Sequence, residues 1–190
     1  MQRVAVSFLV VIGIVTGFFG TPLVWSTAGE PLPSFSFVVP ASEADREYLR
    51  LEKEPGTPFE IPDMKADIVI IELLSMYCPY CQSEAPLINT LADLAMAEQE
   101  NGITIRVLGI GASNTEFEVV FFRDNFSVSF PIFPDQSLEI YDKLKGEGTP
   151  GFVAVSMKSG QKPTIVYRQA GGFHDPREFL DLVLTQAGYK

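Results

Sequence analysis

The sequence predicts an α/β domain built on a mixed β-sheet, and three observations support this prediction. Segments 67–75 and 103–110 are almost continuously apolar, as is typical of strands that are buried on both faces of a sheet. Each is followed by a segment that we interpret as a helix, over 84–100 and 113–125. From residue 152 onward, two more strands precede a last helix. This order of elements is typical of a sandwich whose single sheet holds parallel and antiparallel strands.

The segments before this core are expected to be short or exposed. Residues 30–40 contain three prolines around an alternating Phe35-Ser-Phe37, which indicates an extended lead-in and a short edge strand. Residues 41–54 carry many charges, so we expect a solvated helix or loop with little functional content. Residues 59–61 are a further short strand, and a turn over 62–66 leads into the first buried strand.

The positions of the later helices and strands are predicted from residues that cap helices or form turns. Ser113 or Asn114 is expected to cap the helix that runs to Asn125, and Asp175-Pro176 to begin the last helix. Between them we predict an extended piece over 130–134, a short helix over 136–144, and strands over 152–156 and 164–168. The aromatic residues of the middle helix are predicted to belong to the core, with a groove for a partner as the alternative; they are Phe117, Phe121, Phe122 and Phe126.

Composition and charge limit the function classes. The chain has 190 residues, 46% of them hydrophobic, which suits one domain with an ordinary buried core. Against 24 Asp and Glu stand 14 Lys and Arg, which gives a formal net charge of −10. Nucleic-acid partners are therefore not expected, because they require basic surfaces. The acidity fits a soluble, monomeric domain that is kept apart by self-repulsion.

The N-terminus predicts a location outside the cytoplasm. No charged residue occurs from Val4 to Gly29, and Ser26-Thr-Ala28 offers the small residues that a signal peptidase requires. Residues 1–28 are therefore either a cleaved signal peptide or an N-terminal anchor that tethers the protein to the membrane through residues 4–25. Under both interpretations the domain over 29–190 lies in the periplasm or on the outer face of the cytoplasmic membrane.

Two cysteines, Cys78 and Cys81, form the motif Cys-Pro-Tyr-Cys between the first buried strand and the first helix. A dithiol or disulfide at such a junction is typical of a redox centre. Two alternatives remain: a structural disulfide, which gains little by closing so short a loop, and a metal site, for which His174 is the only histidine in the chain. We interpret His174 as a surface residue at the entry of the last helix.

The position of each cysteine predicts its role. Cys78 lies just before the helix, where unpaired N–H groups and the helix dipole stabilise a thiolate, so it is expected to be the nucleophile. Cys81 lies one turn inside the helix and is expected to be the buried, resolving thiol. Pro79 suits the first helical position because it has no N–H group to leave unpaired.

Two further positions are candidates for the site. Glu72 places a carboxyl group in an apolar strand, where desolvation would raise its pKa and let it exchange a proton with Cys81. The alternative is a strand-end residue that faces solvent. Thr149-Pro150 precedes a strand, and a cis peptide bond there would bring the Thr149 backbone to a substrate chain. The alternative is an ordinary trans proline in a turn.

Together these positions resemble the thioredoxin superfamily. The matching residues are Cys78-Pro-Tyr-Cys81, Glu72 six residues before the first cysteine, Pro86 five after the second, and Thr149-Pro150 before a β-hairpin. The apolar N-terminus and the region inserted over 125–144 look like the extracytoplasmic TlpA/ResA branch. The resemblance implies a three-layer sandwich with a central mixed sheet flanked by helices, a cis Pro150, and a buried acid at Glu72. Tyr77 departs from the pattern, because a tryptophan usually precedes the first cysteine.

The sequence therefore predicts an extracytoplasmic thiol–disulfide oxidoreductase, and the resemblance favours a reductant. Its substrates are expected to be protein thiols or disulfides, with a redox partner protein and no cofactor besides the Cys78–Cys81 disulfide. Tyr77, Pro79 and Tyr80 are expected to contact substrate, together with Thr149 and Pro150. Two alternatives are a thiol peroxidase on the same fold and a metallochaperone that is not an enzyme.

Overall fold

A computed structural model describes residues 29–190, so the expected signal peptide or anchor over 1–28 lies outside the described residues. The strands are β1 (Glu30–Pro31), β2 (Phe37–Val38), β3 (Pro58–Phe59), β4 (Ile68–Leu74), β5 (Ile105–Ala112), β6 (Ile132–Asp135), β7 (Gly151–Ser156) and β8 (Thr164–Ala170). The helices are α1 (Glu43–Leu49), α2 (Pro79–Ala97), α3 (Glu116–Asn125), α4 (Glu139–Lys143) and α5 (Pro176–Gln186), with 3-10 turns at Ile61–Asp63 and Glu98–Asn101. Within this part of the chain, no helix is both long and apolar enough to span a bilayer.

The predicted mixed sheet is confirmed. Six strands pair in the order β1-β8-β7-β4-β5-β6, and β2 and β3 form a separate hairpin. The central strand β4 is parallel to β5 and antiparallel to β7. Every residue of β4 is buried, which explains why its sequence is almost uninterruptedly apolar.

The sheet is covered on both faces, which gives three layers. One apolar cluster joins β4 and β5 to α2, α3 and α5. A second cluster lies on the opposite face, where the β2–β3 hairpin, the end of α1 and helix α4 pack against the same strands. The two clusters fix β4 at the centre of the domain, and the dithiol follows directly at its carboxyl end.

Two predictions about the elements are wrong in detail. Helix α2 begins at Pro79 and ends at Ala97 instead of covering 84–100, and a 3-10 turn continues it. Thr115, and not Ser113 or Asn114, caps α3, because its side chain and that of Glu118 form a reciprocal capping box. Three successive cap-forming residues made this boundary ambiguous in the sequence.

The charged segment 41–54 is more integrated than expected. It does form a helix, but Leu49 is fully buried and Leu51 nearly so. The Tyr48 hydroxyl accepts a hydrogen bond from the Val107 N–H in β5. Arg123 of α3 makes a two-pronged ion pair with Asp45. The segment therefore anchors one edge of the domain instead of lying loosely in solvent.

The prediction that the aromatic residues of α3 belong to the core is wrong for two of them. Phe122 is buried and contacts Phe126. Phe117 and Phe121 are exposed to solvent. Helical spacing explains the difference, since residues 119 and 122 share the face that packs on the sheet and residues 117 and 121 lie on the opposite side.

Candidate active site

The dithiol lies where β4 passes into α2. Cys78 is the N-cap residue of α2, and Pro79 takes the first helical position, as predicted. Cys78 is partly accessible, whereas Cys81 is completely buried against the core. The structure has no bond between the two sulfur atoms. The two cysteines therefore differ in accessibility in the direction that the sequence predicts.

The environment of Cys78 favours its thiolate. Partial burial by itself acts to raise the pKa of the Cys78 thiol, but hydrogen bonds that include those from the backbone N–H groups of Tyr80 and Cys81 outweigh it. The net result is a pKa below the ordinary value of a thiol. A thiolate is the form that attacks disulfides, so Cys78 has the properties of a nucleophile.

Thr149 contacts Cys78 directly. The sulfur atom of Cys78 lies 3.1 Å from the backbone carbonyl oxygen of Thr149, to which the thiol donates. The Thr149–Pro150 peptide bond is cis, as the resemblance implies. The structure therefore brings the predicted loop beside the nucleophile, with the partly accessible backbone of Thr149 next to the sulfur.

Glu72 is buried, so the alternative of a solvent-facing residue is wrong. It lies in the middle of β4 between Gly109 of β5 and Phe152 of β7. Its Oε1 atom finds no hydrogen-bond partner anywhere in residues 29–190. Burial, then the charge of Glu84, then Cys78, raise the pKa of the Glu72 carboxyl group well above its ordinary value.

Cys81 is affected by the same interior. Burial is the main cause that raises the pKa of the Cys81 thiol far above its ordinary value, and the charge of Glu72 adds to it. The two thiols thus have pKa values displaced in opposite directions. At neutral pH, Cys78 ionises more readily and Cys81 keeps its proton.

Glu84 is a residue of the site that sequence reasoning missed. It lies on α2, one turn after Cys81, and is almost fully buried. Its carboxylate accepts a hydrogen bond of 2.7 Å from the Phe173 N–H, and burial raises the pKa of the carboxyl group. The sequence did offer a signal for this residue, because position 84 is polar although it lies on the same helix face as the buried Cys81 and Ala85. Gly172 leaves room for this carboxylate, because a Cβ there would lie 2.2 Å from Glu84 Oε1.

Asn114 is the second missed residue, and it holds the loop before Cys78 in place. Its side-chain oxygen accepts the N–H of Met76 at 2.8 Å, and its side chain is completely buried. The amide of Gln82 donates to the carbonyl oxygen of Met76, also at 2.8 Å. Contacts from two sides thus fix the backbone two residues before the nucleophile.

The remaining predicted residues lie next to Cys78 in the sequence and are all exposed. Tyr77 and Tyr80 are exposed, and the Tyr77 hydroxyl donates to the carboxylate of Glu118 in α3. Pro79 is accessible as well. Their role in substrate binding stays a prediction. His174 is exposed at the entry of α5, and in the described part of the chain no three His, Cys, Asp or Glu side chains converge as metal ligands.

The chain matches no protein-family model. Comparison with known proteins nevertheless identifies proteins that are similar to it in sequence or in structure. The thiol-disulfide oxidoreductase ResA of Halalkalibacterium halodurans is 26% identical over 139 residues, which cover 72% of this chain and 74% of ResA. Among solved structures, a thiol:disulfide interchange protein of the thioredoxin family from Chlorobium tepidum superposes with a TM-score of 0.59 at 19% identity, covering 84% of this chain and 97% of the other. StoA from Bacillus subtilis gives 0.53 at 19% identity, covering 80% and 98%.

The structural likenesses establish the thioredoxin-like fold. In this chain the Cys-x-x-Cys pair lies at the N-terminus of a helix, with a cis proline beside it and a buried acid in the central strand. The chain therefore has the thioredoxin-like fold, and its similarity to ResA supports a protein-disulfide oxidoreductase.

Proposed function

We propose that the protein exchanges its Cys78–Cys81 dithiol with disulfides of partner proteins outside the cytoplasm, and that it acts as a reductant. The observation that carries the proposal is the contrast between the two thiols. Cys78 is accessible with a lowered pKa, and Cys81 is buried with a raised pKa. A pair of this kind separates the attack on a substrate from the later release of the product.

The first step is the attack by Cys78. Its thiolate bonds to one sulfur of the partner's disulfide, and the other sulfur leaves as a thiolate that takes up a proton. A mixed disulfide now joins Cys78 to the partner. The N–H groups at the start of α2 lower the energy of the attacking thiolate.

The second step releases the product. Cys81 loses its proton and bonds to the sulfur of Cys78, and the partner's second sulfur leaves as a thiol. Two electrons have then passed from the protein to the partner. Glu72 supports this step, since a carboxylate whose pKa is raised is a stronger base than an ordinary one and takes the proton of Cys81.

Thr149 and the tyrosines support substrate binding. The Thr149 backbone beside Cys78 offers hydrogen bonds to an extended segment of the partner. Tyr77, Pro79 and Tyr80 surround the accessible sulfur and present exposed surface to the same segment. The placement outside the cytoplasm and the tether through residues 4–25 rest on the apolar N-terminal sequence.

Reduction of insulin disulfides in the presence of dithiothreitol tests the function. The wild-type protein is expected to accelerate the reaction, and Cys78→Ser to lose the acceleration completely. Equilibration with glutathione tests the direction, because a reductant has a potential well below about −180 mV, where disulfide-forming catalysts lie. A wild-type protein that accelerates nothing contradicts the function, and a potential near about −120 mV contradicts the direction.

A further inference from the structure

Helix α3 carries an apolar surface that the described residues leave uncovered. Phe117 is 75% exposed, Phe121 48% and Val120 47%. The rings of Phe117 and Phe121 lie 6.5 Å apart, centroid to centroid, so they form one continuous patch. We call these three residues the α3 aromatic surface. Clustered apolar side chains of this size on a surface are a mark of interaction sites.

This surface adjoins the nucleophile. Tyr77, which directly precedes Cys78 and is itself 65% exposed, donates its hydroxyl hydrogen bond to Glu118 of α3. Asn114, just before α3, accepts the Met76 N–H. The N-terminal part of α3 is thus held against the loop that carries Cys78. A polypeptide that places a disulfide on Cys78 therefore meets Tyr77, and Glu118, which precedes the surface residues Val120 and Phe121 on α3 and follows Phe117, is in contact with that tyrosine.

In the three segments that contact Cys78 or Tyr77, every charged residue is acidic. Three segments border Cys78 through the contacts of Thr149 and Tyr77: 75–83, 113–118 and 146–151. They contain Glu116, Glu118 and Glu147, and neither lysine nor arginine. An acidic rim around apolar side chains is complementary to a segment with basic and apolar residues.

We propose that the α3 aromatic surface is the docking site for the protein's redox partner, and that it selects a partner segment that carries apolar side chains and Lys or Arg next to its disulfide. This inference rests on the proposed function and names the class of its substrate. A second copy of the chain and an anionic membrane fit less well, because a formal net charge of −10 repels both.

The chemistry is the exchange described above, with the substrate now specified. The thiolate of Cys78 opens the disulfide of the docked segment, Cys81 displaces the segment from Cys78, and the segment leaves as a dithiol. The two electrons come from the protein's own dithiol, so no further reactant is required. Docking on α3 brings the segment's disulfide to Cys78 and thereby raises kcat/KM without changing the reactivity of the sulfur.

The test compares three disulfides with the reduced protein. One is a peptide with an internal disulfide flanked by Leu, Phe and Lys; the second has Ser and Asp at these positions; the third is hydroxyethyl disulfide, too small to reach α3. A variant with both Phe117→Ser and Phe121→Ser is compared with Leu182→Ser, which removes a side chain that is 40% exposed on α5. Circular dichroism checks that the double variant is folded, and the single variant Phe121→Ser is measured beside it.

The expected result is a loss of about tenfold or more in kcat/KM for the basic, apolar peptide in the double variant, since buried aromatic anchors dominate interfaces. Hydroxyethyl disulfide is expected to react at the wild-type rate, and Leu182→Ser to match the wild type throughout. Glu116→Gln is expected to lower kcat/KM for the basic peptide about twofold at low salt and to lose this effect at high salt.

Three outcomes overturn the inference. One is an unchanged rate with the basic peptide in the double variant, and another is an equal loss with hydroxyethyl disulfide. In the third, the double variant keeps the wild-type peptide rates but differs in sedimentation or in vesicle binding. A difference in sedimentation assigns the surface to a second copy of the chain, and a difference in vesicle binding assigns it to a membrane. A wild-type protein that reacts with none of the three disulfides contradicts the proposed function instead.

Discussion

Burial and the neighbouring carboxyl group of Glu72 together raise the pKa of the Cys81 thiol. Glu72 is itself buried in the central strand, and one of its oxygens finds no partner among residues 29–190. An acid in this position is costly for the fold, and it lies beside the thiol that must lose a proton during product release. This relationship leads to two separate predictions, one for catalysis and one for stability.

Glu72→Gln is expected to slow the resolution of the mixed disulfide and not its formation. The amide keeps the shape of the side chain but accepts no proton, so the second step loses its base. General acid–base catalysis contributes roughly 100-fold or more. Stopped-flow measurement of each step across pH checks this, with Glu178→Gln on α5 as an exposed control. A resolution step with the wild-type pH profile in Glu72→Gln removes the proton-transfer role.

The same substitution is expected to stabilise the protein at neutral pH. The pKa of Glu72 is raised in the folded state, so the stability associated with this group is present below its unfolded pKa of about 4.3 and is lost as pH rises toward the folded pKa. Glu72→Gln therefore gains about 1–3 kcal/mol at neutral pH and progressively less toward pH 4. Urea unfolding at several pH values measures the gain. A gain that is constant with pH contradicts the raised pKa.

Glu84→Gln is expected to lower the pKa of Glu72. The charge of Glu84 is one of the causes that raise that pKa, and the amide oxygen still accepts the Phe173 N–H. The pH at which the resolution step reaches half of its maximal rate should therefore move downward. Glu84→Leu loses both the charge and the hydrogen bond to Phe173, so it should also unfold at a lower urea concentration. Comparing the two variants separates the effect of the charge from that of the hydrogen bond. An unmoved midpoint in Glu84→Gln shows that the two carboxyl groups are not coupled.

Asn114→Ala is expected to destabilise the fold and to slow the attack by Cys78. It leaves the Met76 N–H without its partner, at a cost of about 1–3 kcal/mol. The backbone at Met76 then keeps only the contact of Gln82 with its carbonyl oxygen. Asn89→Ala on α2 is the matched control, because Asn89 also bonds backbone groups of a loop, at Ser127 and Ser129, away from the site. The account is contradicted if both variants unfold and react alike.

Much of the site could be predicted because its chemistry is local in sequence. Cys78, Pro79 and Cys81 lie at a strand–helix junction, and spacing alone assigns which thiol is accessible. Glu72 is conspicuous because charge is rare in an apolar strand. The cis form of Pro150, by contrast, followed only from the family resemblance, since ordinary proline statistics favour the trans form.

What the sequence did not predict depends on long-range contacts. Asn114 was interpreted as a helix cap, because Ser, Asn and Thr are equally good caps and only the fold shows that Asn114 binds Met76. Phe117 and Phe121 were assigned to the core because aromatic residues usually are buried. Their exposure depends on which face of α3 packs on the sheet. The sequence does not show which face this is, because Phe121 and Phe122 are consecutive and lie on different faces of the helix.

The ionisation of Cys78 gives a prediction that needs no substrate. Its pKa is lowered, so the thiolate should already predominate below the ordinary thiol pKa of about 8.5, whereas Cys81 should stay protonated well above it. The pKa values of both cysteines can be measured by alkylating the reduced wild-type protein with iodoacetamide at a series of pH values. Mass spectrometry follows the reaction at each cysteine. Equal pH profiles for the two cysteines contradict the proposed division of roles.

The central claim is that Cys78 is the sulfur that attacks a partner's disulfide. Reduced Cys81→Ser and reduced Cys78→Ser, each mixed with the disulfide peptide and analysed by mass spectrometry, test this claim most directly. The account predicts that Cys81→Ser accumulates a mixed disulfide on Cys78 and that Cys78→Ser forms almost none, because Cys81 is buried and protonated. A mixed disulfide on Cys81 that forms at a comparable rate contradicts it.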